Sequence, residues 1–335
     1  MPPPVRRKTI VLVLALGAAL ALVGVAFAGN GGFAPVPPES PNANRIHQSY
    51  LWISAFALAI FVIVEGALLW FLVRYRRRNR PRTAEGPQIH GATRLELIWT
   101  AIPVLILVAI AGFIFYKLPG IQDVPAATAE GGPMEIKVNA HQFYWQFTYP
   151  NGAVSIDELH APVKRTVRVV IDSADVAHSW WIPALGGKFD AIPGRTNETW
   201  FKAERLGTFR GQCGEFCGVF HAQMAAHADI EPPAAYKTWV STTARRELGR
   251  SQWEGVCAKC HGLTGHGGYG PAIYTSSILI QPQTLRRLLE EGQNRTGGVA
   301  VYMPPVGRGW TDEQFRALEG YMKRNIYKPG GASGG

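Results

Sequence analysis

Two long apolar runs bracket a short arginine-rich stretch, and no feature constrains the fold of this 335-residue chain more. The runs span about Tyr50 to Val73 and Leu95 to Phe115. As helices, each is long enough to cross a hydrocarbon layer roughly 30 Å thick. Pro103 near the start of the second is tolerable there, because a membrane helix finds other partners for a freed backbone group. Between the runs lie Arg74, Arg76, Arg77, Arg78, Arg80 and Arg82. Cationic loops stay on the cytoplasmic side, so the pair reads as a hairpin, with helices about 48–75 and 94–117 and both outer ends facing outward.

A further apolar run, Ile10 to Ala28, follows Arg6, Arg7 and Lys8 and closes on Ala26-Phe27-Ala28. A basic start, an apolar core and a small-x-small ending make residues 1–28 a secretory signal peptide, although the run also suits a retained membrane helix. Signal and arginine loop agree on one topology, with everything after Tyr116 outside the cytoplasm. The nine cations of the two clusters carry nearly all of the formal charge of +10, which therefore reports membrane orientation and not a nucleic-acid surface. Glu65 lies inside the first spanning run. A carboxylate there is costly in lipid and should face protein, as a hydrogen-bonded structural group.

Residues 131–232 read as an all-β domain. Met134–Val138, Phe143–Phe147, Thr166–Ile171 and Glu198–Phe201 are short β-rich stretches, many of them separated by Gly, Pro and Asn. A small antiparallel sandwich or barrel fits. Near its end comes Cys213-Gly-Glu215-Phe-Cys217-Gly-Val-Phe-His221-Ala-Gln-Met224. Two thiolates, an imidazole and a thioether in one loop form a soft ligand set, which suits copper; zinc accepts Cys and His, but the methionine favours copper. His178, in His178-Ser-Trp-Trp-Ile-Pro183, can add a second imidazole. A Cys213–Cys217 disulfide is the plain alternative in an oxidising compartment, and it leaves the His/Met spacing unexplained.

The His-Ser-Trp-Trp-Ile-Pro string, Lys188-Phe-Asp-Ala-Ile-Pro-Gly-Arg195 and the Cys-x-Glu-x-Cys-Gly-x-x-His-x-x-Met loop together resemble the second subunit of haem–copper cytochrome c oxidases. The resemblance covers both membrane helices and the outer domain, and implies a cupredoxin fold holding the binuclear copper centre CuA. It implies that Cys213 and Cys217 bridge two coppers, that His178 and His221 are terminal ligands, and that Met224 and the Glu215 backbone carbonyl are weak ligands. The Glu215 side chain is then placed against the catalytic subunit, sharing a Mg²⁺ with it. Glu96, in Arg94-Leu-Glu96-Leu-Ile-Trp, matches a glutamate near a proton-uptake entrance; the alternative is an acid favoured by the dipole of its helix. One departure matters. The family's His-Gln-Trp-Tyr-Trp is here His141-Gln142-Phe143-Tyr144-Trp145, so Phe143 stands where a Trp usually receives electrons from soluble cytochrome c. The aromatic character is kept, and a donor docked differently is expected.

After a linker at 233–245 the pattern becomes helical and contains Cys257-Ala258-Lys259-Cys260-His261, the covalent haem c attachment signature. The two cysteines lie about one helical turn apart, and His261 follows as the proximal ligand. Met303, in Tyr302-Met303-Pro304-Pro305, is the candidate distal ligand; Met322 sits in a helical pattern and reads as packing, and His266 is too near along the chain. His/Met ligation raises the reduction potential, as a carrier upstream of copper requires. Residues 246–328 resemble class I cytochromes c, whose Gly-Pro carbonyl, here that of Pro271, accepts the proximal histidine's N–H. Thr311-Asp-Glu-Gln314 is a capping-box pattern opening a last helix, which Leu318 and Tyr321 pack against the first, and 329–335 is an expected disordered tail.

Together these parts imply a multidomain membrane protein: a two-helix hairpin within 29–130, an all-β cupredoxin domain and an all-α cytochrome c domain, as in the caa3-type oxidases. The expected role is electron input to a proton-pumping terminal oxidase in a bacterial cell membrane. Expected partners are subunit I, with its haems and CuB, and subunit III, with a cytochrome c or a quinol-oxidising complex as donor. A nitrous oxide reductase would need a histidine-rich catalytic domain, which is not visible. A nitric oxide reductase component is separated by gas consumption, and a simple copper carrier by its metal content.

Overall fold

The computed structural model describes residues 36–76, 86, 88, 90–126, 131–295 and 301–329. The signal-peptide expectation, most of the arginine cluster and residues 330–335 lie outside these. Helix α1 (Pro41–Arg74) and helix α2 (Thr93–Lys117) form the apolar pair, and a single turn, α3 (Pro119–Gln122), follows. The helices touch through Trp52 stacked on Phe113 at 5.0 Å and through Lys117, which donates to Gln48 Oε1 at 2.6 Å. Helix α1 begins at Pro41, several residues before the apolar run. At 34 residues it is about 51 Å long, more than a bilayer core needs. Its first turns are polar for a reason hydropathy does not show. Ser40, Asn42 and Ala43 are buried against the β-domain, and Asn42 Nδ2 donates to the Trp200 carbonyl.

Ten strands build two five-stranded sheets. Strands β1 (Met134–His141), β2 (Tyr144–Thr148), β3 (Val154–Ile156), β5 (Thr166–Ser173) and β8 (Asn197–Lys202) form one, in the order β3-β2-β1-β5-β8. The other is β4-β10-β9-β6-β7, from β4 (Glu158–Pro162), β6 (His178–Trp181), β7 (Phe189–Ala191), β9 (Gly207–Cys213) and β10 (Ala225–Glu231). Alternation along β5 buries Val167, Val169 and Ile171 between the sheets, as the two-residue period of a strand requires. Strand β2 departs from that rule: Tyr144, Trp145, Gln146 and Phe147 are all buried. Trp145 and Phe147 enter the sandwich core, while Tyr144, with Val154 and Ile156 of β3, belongs to a second core shared with the C-terminal helices.

The stretch read as a linker is helical. Helix α4 (Pro233–Thr238) runs through a π-helical turn (Trp239–Thr243) into α5 (Ala244–Gln252), a second π turn (Trp253–Cys257) and α6 (Ala258–His261). Tyr236, Trp239 and Val240 pack on the sandwich core, and the Trp239 ring lies 3.7 Å from that of His160. Helices α7 (Pro282–Glu291) and α8 (Asp312–Asn325) and a small pair, β11 (Gln293–Arg295) and β12 (Val301–Met303), complete the domain. The Thr311/Gln314 capping box is formed, and Leu318 is fully buried. Helices α5 and α8 cross at Gly249, where a Cβ would lie 2.1 Å from the Ala317 carbonyl oxygen.

Candidate metal and haem sites

His178 opens β6 and Cys213 closes β9, and the two strands are antiparallel neighbours. Cys217, His221 and Met224 follow in the loop to β10, which is shut where the Cys213 N–H donates to the Met224 carbonyl at 2.9 Å. The loop gathers donors into one small buried space. Cys213 Sγ lies 3.9 Å from Cys217 Sγ, 3.9 Å from His178 Nδ1 and 3.2 Å from the Glu215 carbonyl oxygen. Cys217 Sγ lies 3.6 Å from His221 Nδ1 and 3.8 Å from Met224 Sδ. A disulfide would bring the sulfurs to about 2.05 Å, so the disulfide alternative is not what forms; both cysteines are free. The hydrogen bond from the Cys217 thiol pulls the Cys213 sulfur toward its thiolate form, and the shared proton holds Cys217 up.

Asp175, three residues before His178, was not singled out in the sequence. Its Oδ1 lies 2.8 Å from His178 Nε2, so the ring's other nitrogen, Nδ1, faces the sulfurs. Burial disfavours a charged His178, but the Asp175 carboxylate and the Cys213 sulfur outweigh it and raise the ring's pKa. Burial also works against the Asp175 anion, yet His178 and the N–H groups of Gln142 and Val176 hold it low. No local motif marks this aspartate; only the fold brings it to the ring. The Glu215 side chain points away from the sulfurs and meets Lys188 at 3.4 Å, which also pairs with Asp190 at 2.9 Å. Phe216 and Val219 on the same loop are exposed.

In the C-terminal domain, Cys257, His261 and Met303 line one cleft with about 1250 Å³ of empty space. Its other walls include Ile273, Leu285, Leu289 and Leu318, an apolar lining suited to a porphyrin face. His261 Nδ1 lies 2.8 Å from the Pro271 carbonyl, which leaves Nε2 free for a metal. Met322 also reaches the cleft wall while packed in the core, whereas His266 is stacked on Tyr274 at 4.1 Å. Burial pushes the Cys257 thiol up to about 12.

The three aromatics read as one electron-input group do different jobs. Trp145 faces the sandwich core, 6.1 Å ring to ring from His178. Tyr144 crosses to the helical domain: its hydroxyl donates to the Val306 carbonyl at 2.6 Å and accepts from Trp310 Nε1 at 2.9 Å. Phe143 lines the haem-side cleft beside Cys260 and His261 and packs edge-on against Phe220 of the copper-side loop at 5.5 Å. Gln142 also lines that cleft, and its Nε2 donates to the Cys217 carbonyl at 2.6 Å. At the membrane end, Glu96 Oε1 accepts the Ala92 N–H at 3.0 Å, capping its own helix, and Glu65 is exposed on α1 in this chain taken alone.

Known proteins agree with this layout. The cytochrome c oxidase subunit II transmembrane domain family matches residues 35–116, and its periplasmic domain family matches 153–230. A family described as cytochrome c oxidase, cbb3-type, subunit III matches 244–322. A cytochrome c oxidase subunit 2 from Alkalihalophilus pseudofirmus is 34% identical over 324 residues, covering 88% of this chain and 91% of the relative. The chain belongs to the cytochrome c oxidase subunit 2 family. A subunit 2 from Synechocystis is 29% identical over 276 residues, covering 70% of this chain and 82% of the relative. The solved periplasmic domain of subunit II from Bradyrhizobium japonicum shares 36% identity, with 37% of this chain and 98% of that one covered and a TM-score of 0.34. This subunit 2 is thus a membrane-anchored component of a haem–copper oxidase complex that carries a fused cytochrome c domain. Both families imply their prosthetic groups, copper and haem, and the donor sets described above fit them in softness, burial and apolar lining.

Proposed function

We propose that this subunit passes electrons from a haem c in its C-terminal domain to a CuA centre in its β-domain, and on to the haems of subunit I, where O₂ is reduced to water and protons are pumped. Cys257 and Cys260 would attach the haem covalently, and His261 and Met303 would hold its iron. Cys213, Cys217, His178, His221, Met224 and the Glu215 carbonyl would together hold the copper pair. When bound, the two groups supply one-electron chemistry; the chain supplies their positions. Asp175 fixes the His178 ring, Pro271 fixes the His261 ring, and the closed loop, with its sulfur atoms buried, resists the change in geometry that would slow electron transfer.

The observation that carries this reading is the shared wall. Gln142 and Phe143 line the haem-side cleft, and the same two residues touch the copper-side loop at the Cys217 carbonyl and Phe220. With the helical domain on this face, Phe143 sits inside the molecule, only 8% exposed, where an external cytochrome would have needed a surface aromatic. The donor then docks on the cytochrome domain, and a cytochrome c or a quinol-oxidising complex suits the role. Exposed Phe216, Val219 and Glu215 are the surface offered to subunit I, with Glu215 the candidate ligand of a shared Mg²⁺. Subunit III completes the assembly in a bacterial cell membrane, with both redox domains on the outer side. Glu96 at the inner mouth of α2 stays a candidate for proton uptake, alongside its capping role. Electron paramagnetic resonance of the purified complex tests the core of the proposal. A mixed-valence binuclear copper signal and one low-spin haem c per chain are expected. A mononuclear copper signal, or a copper-depleted complex that oxidises its haem c under O₂ at the normal rate, overturns it.

A further inference from the structure

The two residues between the haem-binding cysteines are Ala258 and Lys259, and a lysine on such a turn would ordinarily extend into water. Lys259 does not. Its side chain is 17% exposed, and its ammonium donates to Asp157 Oδ2 at 2.6 Å and to the Phe143 carbonyl at 2.8 Å, both on the β-domain. Asp157 is prepared to receive it. The residue sits at the β3–β4 corner with φ of 61°, a left-handed conformation that Asp tolerates better than most residues. Its N–H donates to the Trp145 carbonyl at 2.8 Å, its carbonyl accepts from the His227 N–H at 2.9 Å, and its Oδ1 accepts from the Trp145 N–H at 2.9 Å. Oδ2 is the atom left over, on a side chain only 16% exposed. Gly255, in the turn just before Cys257, presses on the same corner. A Cβ there would fall 2.6 Å from Ile156 Cγ2 and 3.2 Å from Asp157 Oδ2.

Burial raises the Asp157 carboxyl's pKa even with Lys259 beside it, so desolvation costs more than the ion pair returns. Pairs of that kind specify an arrangement more than they stabilise one, because any other register strands a buried charge. We propose that Lys259, seated in the Asp157/Phe143 socket, is a docking pin that holds the haem-attachment turn in one register on the β-domain. The fused cytochrome is then a fixed donor at a constant distance from the copper loop, not a tethered domain that samples the surface. The electron-transfer consequence rests on the function proposed above; the pin itself is a matter of geometry and has its own readout.

The test uses the full oxidase complex with Lys259→Met, which keeps the stem and removes the charge, and Asp157→Asn, which tolerates the same backbone and still accepts the Trp145 N–H. Amide exchange at Trp145 and Asp157 is read first. Exchange at least 10-fold faster is expected in both variants, with the haem absorption spectrum unchanged. Flash-initiated transfer from haem to copper is read second. A single, viscosity-independent phase is expected in the parent, and slower, multiphasic, viscosity-dependent transfer in both variants. Should Lys259→Met lose its haem, Asp157→Asn, on the other domain, decides the matter alone. Parent-like exchange and viscosity-independent transfer in Asp157→Asn overturn the pin. Absence of haem-to-copper transfer in the parent overturns the proposed function instead, and leaves the exchange measurement to judge the pin.

Discussion

Replacing Tyr144 by Phe removes one oxygen from the seam between the two outer domains. That hydroxyl donates to the Val306 carbonyl at 2.6 Å and accepts from Trp310 Nε1 at 2.9 Å. Both partners belong to the cytochrome domain; Trp310 is only 5% exposed, so its N–H recovers no water in exchange, while Val306 is half-buried. A buried polar group left without its partner costs about 1–3 kcal/mol, and the Trp310 N–H carries most of that loss. The ring keeps its stack on His141 at 4.6 Å, which confines the loss to the polar contacts. A loss near 3 kcal/mol raises the undocked fraction on the order of 100-fold. Native-state amide exchange of the complex measures it: β2 and the start of α8 should lose protection together, while the β5 and β8 ladder keeps its own. Adding Trp310→Phe removes one of the stranded donors, so the double variant should lose less than the two single changes combined. Strictly additive losses, or equal loss of protection in β5, would refute the idea that this hydroxyl joins two domains.

Two more outcomes follow from the same structure. Burial depresses the His141 pKa from 6.5 to about 4, so the unfolded chain binds an extra proton between those values. The contribution, at most about 3 kcal/mol, is complete above about pH 6.5 and is lost as the pH falls toward 4; His141→Phe should flatten the unfolding midpoint across that window, and an unchanged pH profile would count against it. Asp175→Asn weakens the orientation of the His178 ring, and copper retention against a chelator should fall about 10- to 100-fold, with parent-like retention the contrary result.

The chemistry-bearing strings were readable because their spacing is local. Cys213 to Met224 and Cys257 to His261 each place most of a donor set within a few turns of chain, so composition and spacing suffice for those residues, and His178 and Met303 join them from farther along. The hairpin was readable for the same reason, except at Asn42, whose partner is the Trp200 carbonyl 158 residues away. What the sequence concealed depends on faces. Phe143 to Phe147 looks like one aromatic strand, and nothing local says that Tyr144 and Trp145 serve different cores. Residues 233–245 lack the length to advertise a helix of their own, and they become helical because Trp239 and Ala244 find the sandwich to pack against. Asp175 carries no motif and Lys259 fills a variable position of one; each gains meaning only when the fold brings a ring or a carboxylate to it.

The doubly covered strand β2 has a consequence for biogenesis. Synthesis runs from the N-terminus, so the β-sandwich emerges while Tyr144, Gln146, Val154 and Ile156 still lack their cover. Closure of that surface waits for the C-terminal helices, and Gln314 seals it by donating to Gln146 Oε1 at 2.7 Å. Folding of the β-sandwich and of the C-terminal helices is therefore coupled through this one strand. A truncation after Glu231 would leave Tyr144, Val154 and Ile156 permanently bare, an apolar flank beside the loop that carries Cys213 and Cys217.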